Sequence, residues 1–167
     1  MTMYQRPPGV WRLPPTLLVA ALIGYVAWAR AAEPVSAVGR WELVDDETNR
    51  PRGVVEMTEV DGELQGRFVQ AFLQPGEVPG ARCVKCTDER KDQPMLGMVI
   101  LWGLRRSSPT EWSGGHVLDP TKGRIYGAEI KLVEGGSRLR VRGYFGISLL
   151  GRTQVWNRLP PQGSVPP

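Results

Sequence analysis

The chain has 167 residues, 41% hydrophobic and 23% charged, with a formal net charge of +4. Its only basic residues before position 33 are Arg6, Arg12 and Arg30, and no acidic residue stands there. Removing those three charges leaves +1, so the positive balance gives no electrostatic case for nucleic-acid binding.

Arg6 and Arg12 precede an apolar run from Thr16 to Ala29, and Ala29-Arg30-Ala31 follows with small residues suited to cleavage after Ala31 or Ala32. The run is shorter than the roughly 20 residues that span a bilayer, and Pro14-Pro15 closes its front edge. Residues 1–32 are therefore predicted to be a signal peptide, with an uncleaved anchor as the alternative. The expected location is exported and periplasmic. About 135 residues remain, one domain with enough chain to bury a core. Residues 160–167, Pro- and Gly-rich with little apolar content, are predicted to be a disordered tail after a domain over residues 33–159.

In chain order, Gly39-Arg40-Trp41 opens a first strand, and Asp61-Gly62 between Gly53–Val60 and Glu63–Leu73 is a hairpin signal. From Leu73 to Pro94 no strand pattern survives. Pro75, Gly76, Pro79 and Gly80 mark a long loop, and a connection of this length in a compact domain is often a lid or binding loop. Leu96 to Leu104 is apolar on both faces, which predicts a strand covered on its outer side or an exposed sticky patch. Asp119–Gly123 and Glu134–Ser137 are turns. Between and after them Tyr126, Ala128, Ile130 and Leu132 oppose Glu129 and Lys131, while Leu139, Val141 and Gly143 oppose Arg138, Arg140 and Arg142. One face is core and one is wet. An arginine near a bilayer midplane costs roughly 2–4 kcal/mol, so the pattern speaks against an integral membrane barrel.

Cys83 and Cys86 are the two cysteines of the chain. An exported protein meets an oxidising compartment, so a local disulfide in the long loop is the first reading. A zinc site using both thiolates with His116 or one of Asp88, Glu89 and Asp92 is the alternative. His116 is solitary, no nucleophile elbow or paired-carboxylate signature is present, and enzymatic activity is the minority reading. No cofactor is implied.

The most specific stretch is the C-terminal one: Trp112-Ser113-Gly114-Gly115, Asp119-Pro120 with Tyr126, Gly143-Tyr144-Phe145-Gly146, and Gly151-Arg152-Thr153-Gln154-Val155-Trp156. That order resembles the bacterial family known as domain of unknown function 2147. With Gly39-Arg40-Trp41 and Pro94–Met98, the resemblance covers the chain after Ala32. It implies a lipocalin-like barrel and carries over no catalytic or binding residue. The opening is also similar to lipocalins, in which an N-terminal Trp packs under a basic side chain; Arg152 or Arg158 is the candidate partner for Trp41.

The resulting expectation is an all-β, antiparallel up-and-down barrel of about eight strands with one long loop, binding a small apolar or amphipathic ligand in its lumen. Arg152, Gln154, Trp156 and Arg158 share one face of the closing strand. With Phe68 and Tyr126, the residues Trp156, Gln154 and Arg152 are the candidate ligand-binding set, the guanidinium orienting an acidic head group. The alternative is a cell-envelope scaffold with a filled barrel and a protein partner.

Overall fold

The computed structural model describes residues 35–161 and Gly163. The leader expected over residues 1–32 lies outside the described residues, as does most of the expected tail. Eight antiparallel strands run in sequence order: β1 Gly39–Val44, β2 Pro51–Val60, β3 Glu63–Ala71, β4 Val99–Ser108, β5 Glu111–Asp119, β6 Arg124–Val133, β7 Arg138–Tyr144 and β8 Gly151–Arg158. Each pairs with the next, and β8 returns to β1 through Trp41–Arg158 and Glu42–Asn157, closing the barrel. Closure removes the free sheet edges that an open meander would expose.

The expected alternation is realised on β6 and β7. Ile130 faces Val141, and Leu132 faces Leu139, inside; Glu129, Lys131, Arg138 and Arg140 point outward. The Asp61-Gly62 hairpin forms with φ of 53° and 78°, the left-handed pair that a two-residue turn between twisted strands requires.

β4 shows why its sequence loses alternation. Arg67 is opposite Val99 while Gly66 is opposite Leu101, so Ile100 is an extra residue; Leu64 then meets Leu104, which adds a second bulge with Gly103 at φ 70°. A bulge shifts the facing pattern by one residue and lets neighbours turn inward together. Ile100, Leu101 and Leu104 therefore all reach the core, while Trp102, opposite His116, is partly buried and packs against that core from the outer side. A bulge on β5 between Trp112 and Gly115, with Gly114 at φ 76°, lies on the adjacent strand.

Much of the interior is filled by side chains. Trp41, Met57, Leu101, Leu104, Trp112, Leu139 and Trp156 belong to one buried cluster. A Cβ on Gly115 would lie 2.5 Å from Leu104 Cγ, and one on Gly66 would lie 2.8 Å from Met57 Sδ. The lumen glycines are spaces already occupied by their neighbours.

One end of the barrel is sealed by the pair expected from the sequence. Arg158, not Arg152, lies over Trp41, its guanidinium carbon 4.2 Å from the ring centroid. It donates to Gly136 O at 2.6 Å, Ser36 O at 2.6 Å and Val38 O at 3.1 Å, while Trp41 Nε1 donates to Ala37 O at 2.9 Å. Burial lowers the Arg158 pKa from its ordinary value, and these carbonyls compensate a guanidinium that stays charged.

Candidate functional site

The opposite end gathers the connections β1–β2, β3–β4, β5–β6 and β7–β8, as up-and-down order demands. The long β3–β4 loop forms the lid. A bridge between Arg82 and Pro94 makes it a small hairpin, and Cys83 is disulfide-bonded to Cys86 with their Cα atoms 5.4 Å apart. Both cysteines are buried in the same cluster as Met98, Ile100 and Leu118, so the disulfide contributes to the core as well as bracing the loop.

The lid rests on the β5–β6 turn, whose sequence fits the contact. Asp119 Oδ1 accepts from the amides of Thr121 (3.0 Å) and Lys122 (3.2 Å) and from Thr121 Oγ1 (2.6 Å). Burial alone would raise the Asp119 pKa, but the bonds from Thr121 and Lys122 outweigh it and hold the carboxyl below its ordinary value. Gly123 has φ 65°, and a Cβ there would come within 1.9 Å of Lys85 O. Only glycine allows the lid backbone to approach this turn.

The candidate residues of the lumen divide into two groups. Trp156, opposite Leu139, is buried, and its Nε1 donates to Gln154 Oε1 at 3.2 Å. Gln154 Nε2 donates to Asp46 Oδ1 at 3.4 Å, and Arg152 binds Asp46 in bidentate fashion at 2.6 and 2.5 Å, with Glu47 at 3.2 Å. These contacts tie β8 to the β1–β2 loop. Hydrogen bonding from Arg152 holds Asp46 below the usual carboxylate range, and Asp46 in turn raises the Arg152 pKa. An anion arriving at Arg152 must compete with that carboxylate. Phe68 on β3 and Tyr126 on β6 stand three strands apart; both are half-buried, Phe68 opposite Val55 and Tyr126 opposite Val117.

A concavity lies on the outer side of β4, between that strand and the lid. It holds about 650 Å³ and is lined by Leu96, Met98, Val99 and Trp102 together with Glu89, Arg90 and Gln93. Arg90 lies 4.4 Å from the Trp102 ring centroid, and His116 stacks on the same indole at 5.6 Å and 15°. Arg90 Nη2 pairs with Asp88 at 3.2 Å and Glu89 at 3.3 Å. Its Nη1 is buried without a hydrogen-bond partner among the described residues.

The two-sided apolar run left a covered strand and an exposed patch both open, and it did not single out Arg90 or Trp102. The two-sided apolar strand was the available signal for Trp102; Arg90 was one charge in a mixed run. Asp46 was missed because its pairing spans more than a hundred residues of sequence. His116 supports an aromatic ring, and the zinc alternative for the cysteines gives way to their bond with each other.

The fold and the capped end define a lipocalin-like barrel with a disulfide-bearing lid. The chain belongs to the family described as uncharacterized protein conserved in bacteria (DUF2147), whose model matches residues 39–158. Among solved structures it is similar to the one titled "Protein HP1028 from the human pathogen Helicobacter pylori belongs to the lipocalin family", with a TM-score of 0.65 and 16% identity over 75% of this chain and 84% of that one. That likeness bears on the fold. No functionally curated protein matches the chain.

Proposed function

We propose that this protein is an exported, periplasmic barrel that binds a small amphipathic molecule with an anionic group, seated in the groove between the lid and Trp102. The leader-like features of residues 1–32 support export. The charged outer wall at Glu129, Lys131, Arg138 and Arg140 supports a barrel that stands in water.

The observation that carries the binding reading is Arg90 Nη1. A buried guanidinium N–H without an acceptor costs about 1–3 kcal/mol, and a carboxylate or phosphate oxygen relieves that cost once a small shift of the Arg90 side chain uncovers Nη1 to the groove. Leu96, Met98, Val99 and the part of Trp102 that lines the groove supply the apolar contact that a tail requires. The expected lumen set of Phe68, Tyr126, Gln154, Arg152 and Trp156 is the competing seat. Binding there demands that the lid lift and that Asp46 release Arg152; in the groove an anion meets Arg90 beside Asp88 and Glu89, but the lid stays in place and Nη1 carries no competing acceptor.

Titration of delipidated protein with a fluorescent fatty-acid anion tests this reading. Arg90→Ala and Trp102→Ala are each expected to weaken binding about tenfold or more, the worth of one charge-assisted hydrogen bond or one aromatic contact, and Arg152→Ala to leave it unchanged. The reverse pattern would move the seat into the lumen. No saturable binding by the wild type would favour the second reading, an envelope scaffold with a protein partner, for which the occupied spaces above Gly66 and Gly115 speak.

A further inference from the structure

The β7–β8 connection inverts the usual arrangement of a surface loop. Phe145, Ile147, Leu149 and Leu150 are 79%, 58%, 85% and 74% exposed. Loops at a barrel end are ordinarily polar, and contiguous exposed apolar side chains mark an interaction surface. The polar groups of this loop point back toward the barrel. Arg142 Nε donates to Ser148 O at 2.8 Å and its Nη2 to Leu149 O at 3.2 Å; Ser148 Oγ donates to Glu129 Oε1 at 2.7 Å. Within the loop the amides of Ile147 and Leu150 bond to Phe145 O and Ile147 O at 3.0 and 3.1 Å. The frame is fixed from below, and four large apolar side chains are presented outward.

We infer that this tip inserts into the surface of a lipid bilayer and sets the mouth of the barrel against the membrane. Side chains this exposed form a projection, and a fluid apolar phase accepts a projection without a matching cavity. Phe and Leu fit the acyl boundary, and a loop already held in shape loses little conformational entropy on entering it. The lid end also exposes Leu73, Val78 and Val84, so the apolar rim extends beyond one loop. The cations on the two strands that carry the tip are matched: Arg142 lies 3.8 Å from Glu129, and Arg152 is held by Asp46 and Glu47. Attachment is therefore driven by apolar contact, with little dependence on anionic lipid or salt. This inference rests on the loop alone and stands or falls separately from the groove.

The test is flotation with phosphatidylcholine vesicles of the chain from Glu33, which contains the whole closed barrel and its core. The wild type is expected to float with the vesicles equally well at low and high salt. The triple variant Phe145→Ser, Leu149→Ser, Leu150→Ser is expected to lose at least about tenfold in partitioning while keeping its melting temperature, since the replaced side chains lie outside the core. Because Cys83 and Cys86 are bonded to each other, Leu149→Cys gives a single labelling site. An environment-sensitive dye there should shift to the blue on vesicle addition. A wild type that stays in the aqueous fraction, or a triple variant that floats as well as the wild type, overturns the inference. So does a concentration-dependent dimer, abolished by the triple variant, in a protein that ignores vesicles, because the tip would then dock on a second copy.

Discussion

Replacing Arg158 by Ala removes the seal at the closed end, and its cost can be worked from the contacts. The guanidinium stacks on Trp41 and donates to the carbonyls of Ser36, Val38 and Gly136. The stack is worth about 1 kcal/mol, and each hydrogen bond, discounted for partial exposure, about 1 kcal/mol more. A loss of about 3–4 kcal/mol follows. For a domain of this size about 3 °C of melting temperature accompanies each kcal/mol, so calorimetry should show a fall of about 10 °C. Arg158→Lys keeps a charge near Trp41 but cannot reach three carbonyls at once, and should recover about a third of the loss. Arg140→Ala, outward and exposed, should be nearly neutral. A fall of less than about 3 °C for Arg158→Ala would refute the reasoning, because the three carbonyls would then be satisfied without the guanidinium.

Gly123→Ala should destabilise by at least about 1–2 kcal/mol from backbone strain alone, and hydrogen exchange should show the added loss at Lys85 and Cys86, where the new Cβ collides. Replacing Cys83 and Cys86 together by Ser should speed exchange across residues 73–98 while β6 and β7 stay protected; because both sulfurs are buried, some global stability is lost as well. Asp46 and Asp119 both have depressed pKa values, so their contribution is present above the ordinary carboxylate pKa of about 3.9 and is lost as pH falls through the lower folded values. Melting temperature measured against pH should fall below about pH 4 from these groups, and Asp119→Asn should flatten that part of the curve.

The fold was legible because period-2 alternation in Tyr126–Tyr144, the Asp61-Gly62 turn and the Trp41 opening are local signals for strands, reversals and a sealed end. β4 was ambiguous for a physical reason: two bulges place Ile100, Leu101 and Leu104 in the core together, and no fixed period describes such a strand. Its outer side is covered at Trp102 by Arg90 of the long loop, one of the two arrangements the apolar run allowed. The face shared by Arg152, Gln154 and Trp156 was readable from alternation, whereas the Asp46 carboxylate that occupies Arg152 was not, because that pairing depends on barrel closure between β1 and β8. The groove of Arg90 and Trp102 was not legible, for a different reason. It joins a charged loop residue to a partly buried aromatic that follows a bulge and lines the outer side of β4.

The binding account is tested most directly by native mass spectrometry of the purified protein incubated with a panel of acyl carboxylates and phosphates. The account predicts a one-to-one adduct of amphipathic mass on the wild type, retained by Arg152→Ala and lost from Arg90→Ala and Trp102→Ala. A wild type that stays at its bare mass across the panel, or an adduct indifferent to Arg90 and Trp102, would contradict it.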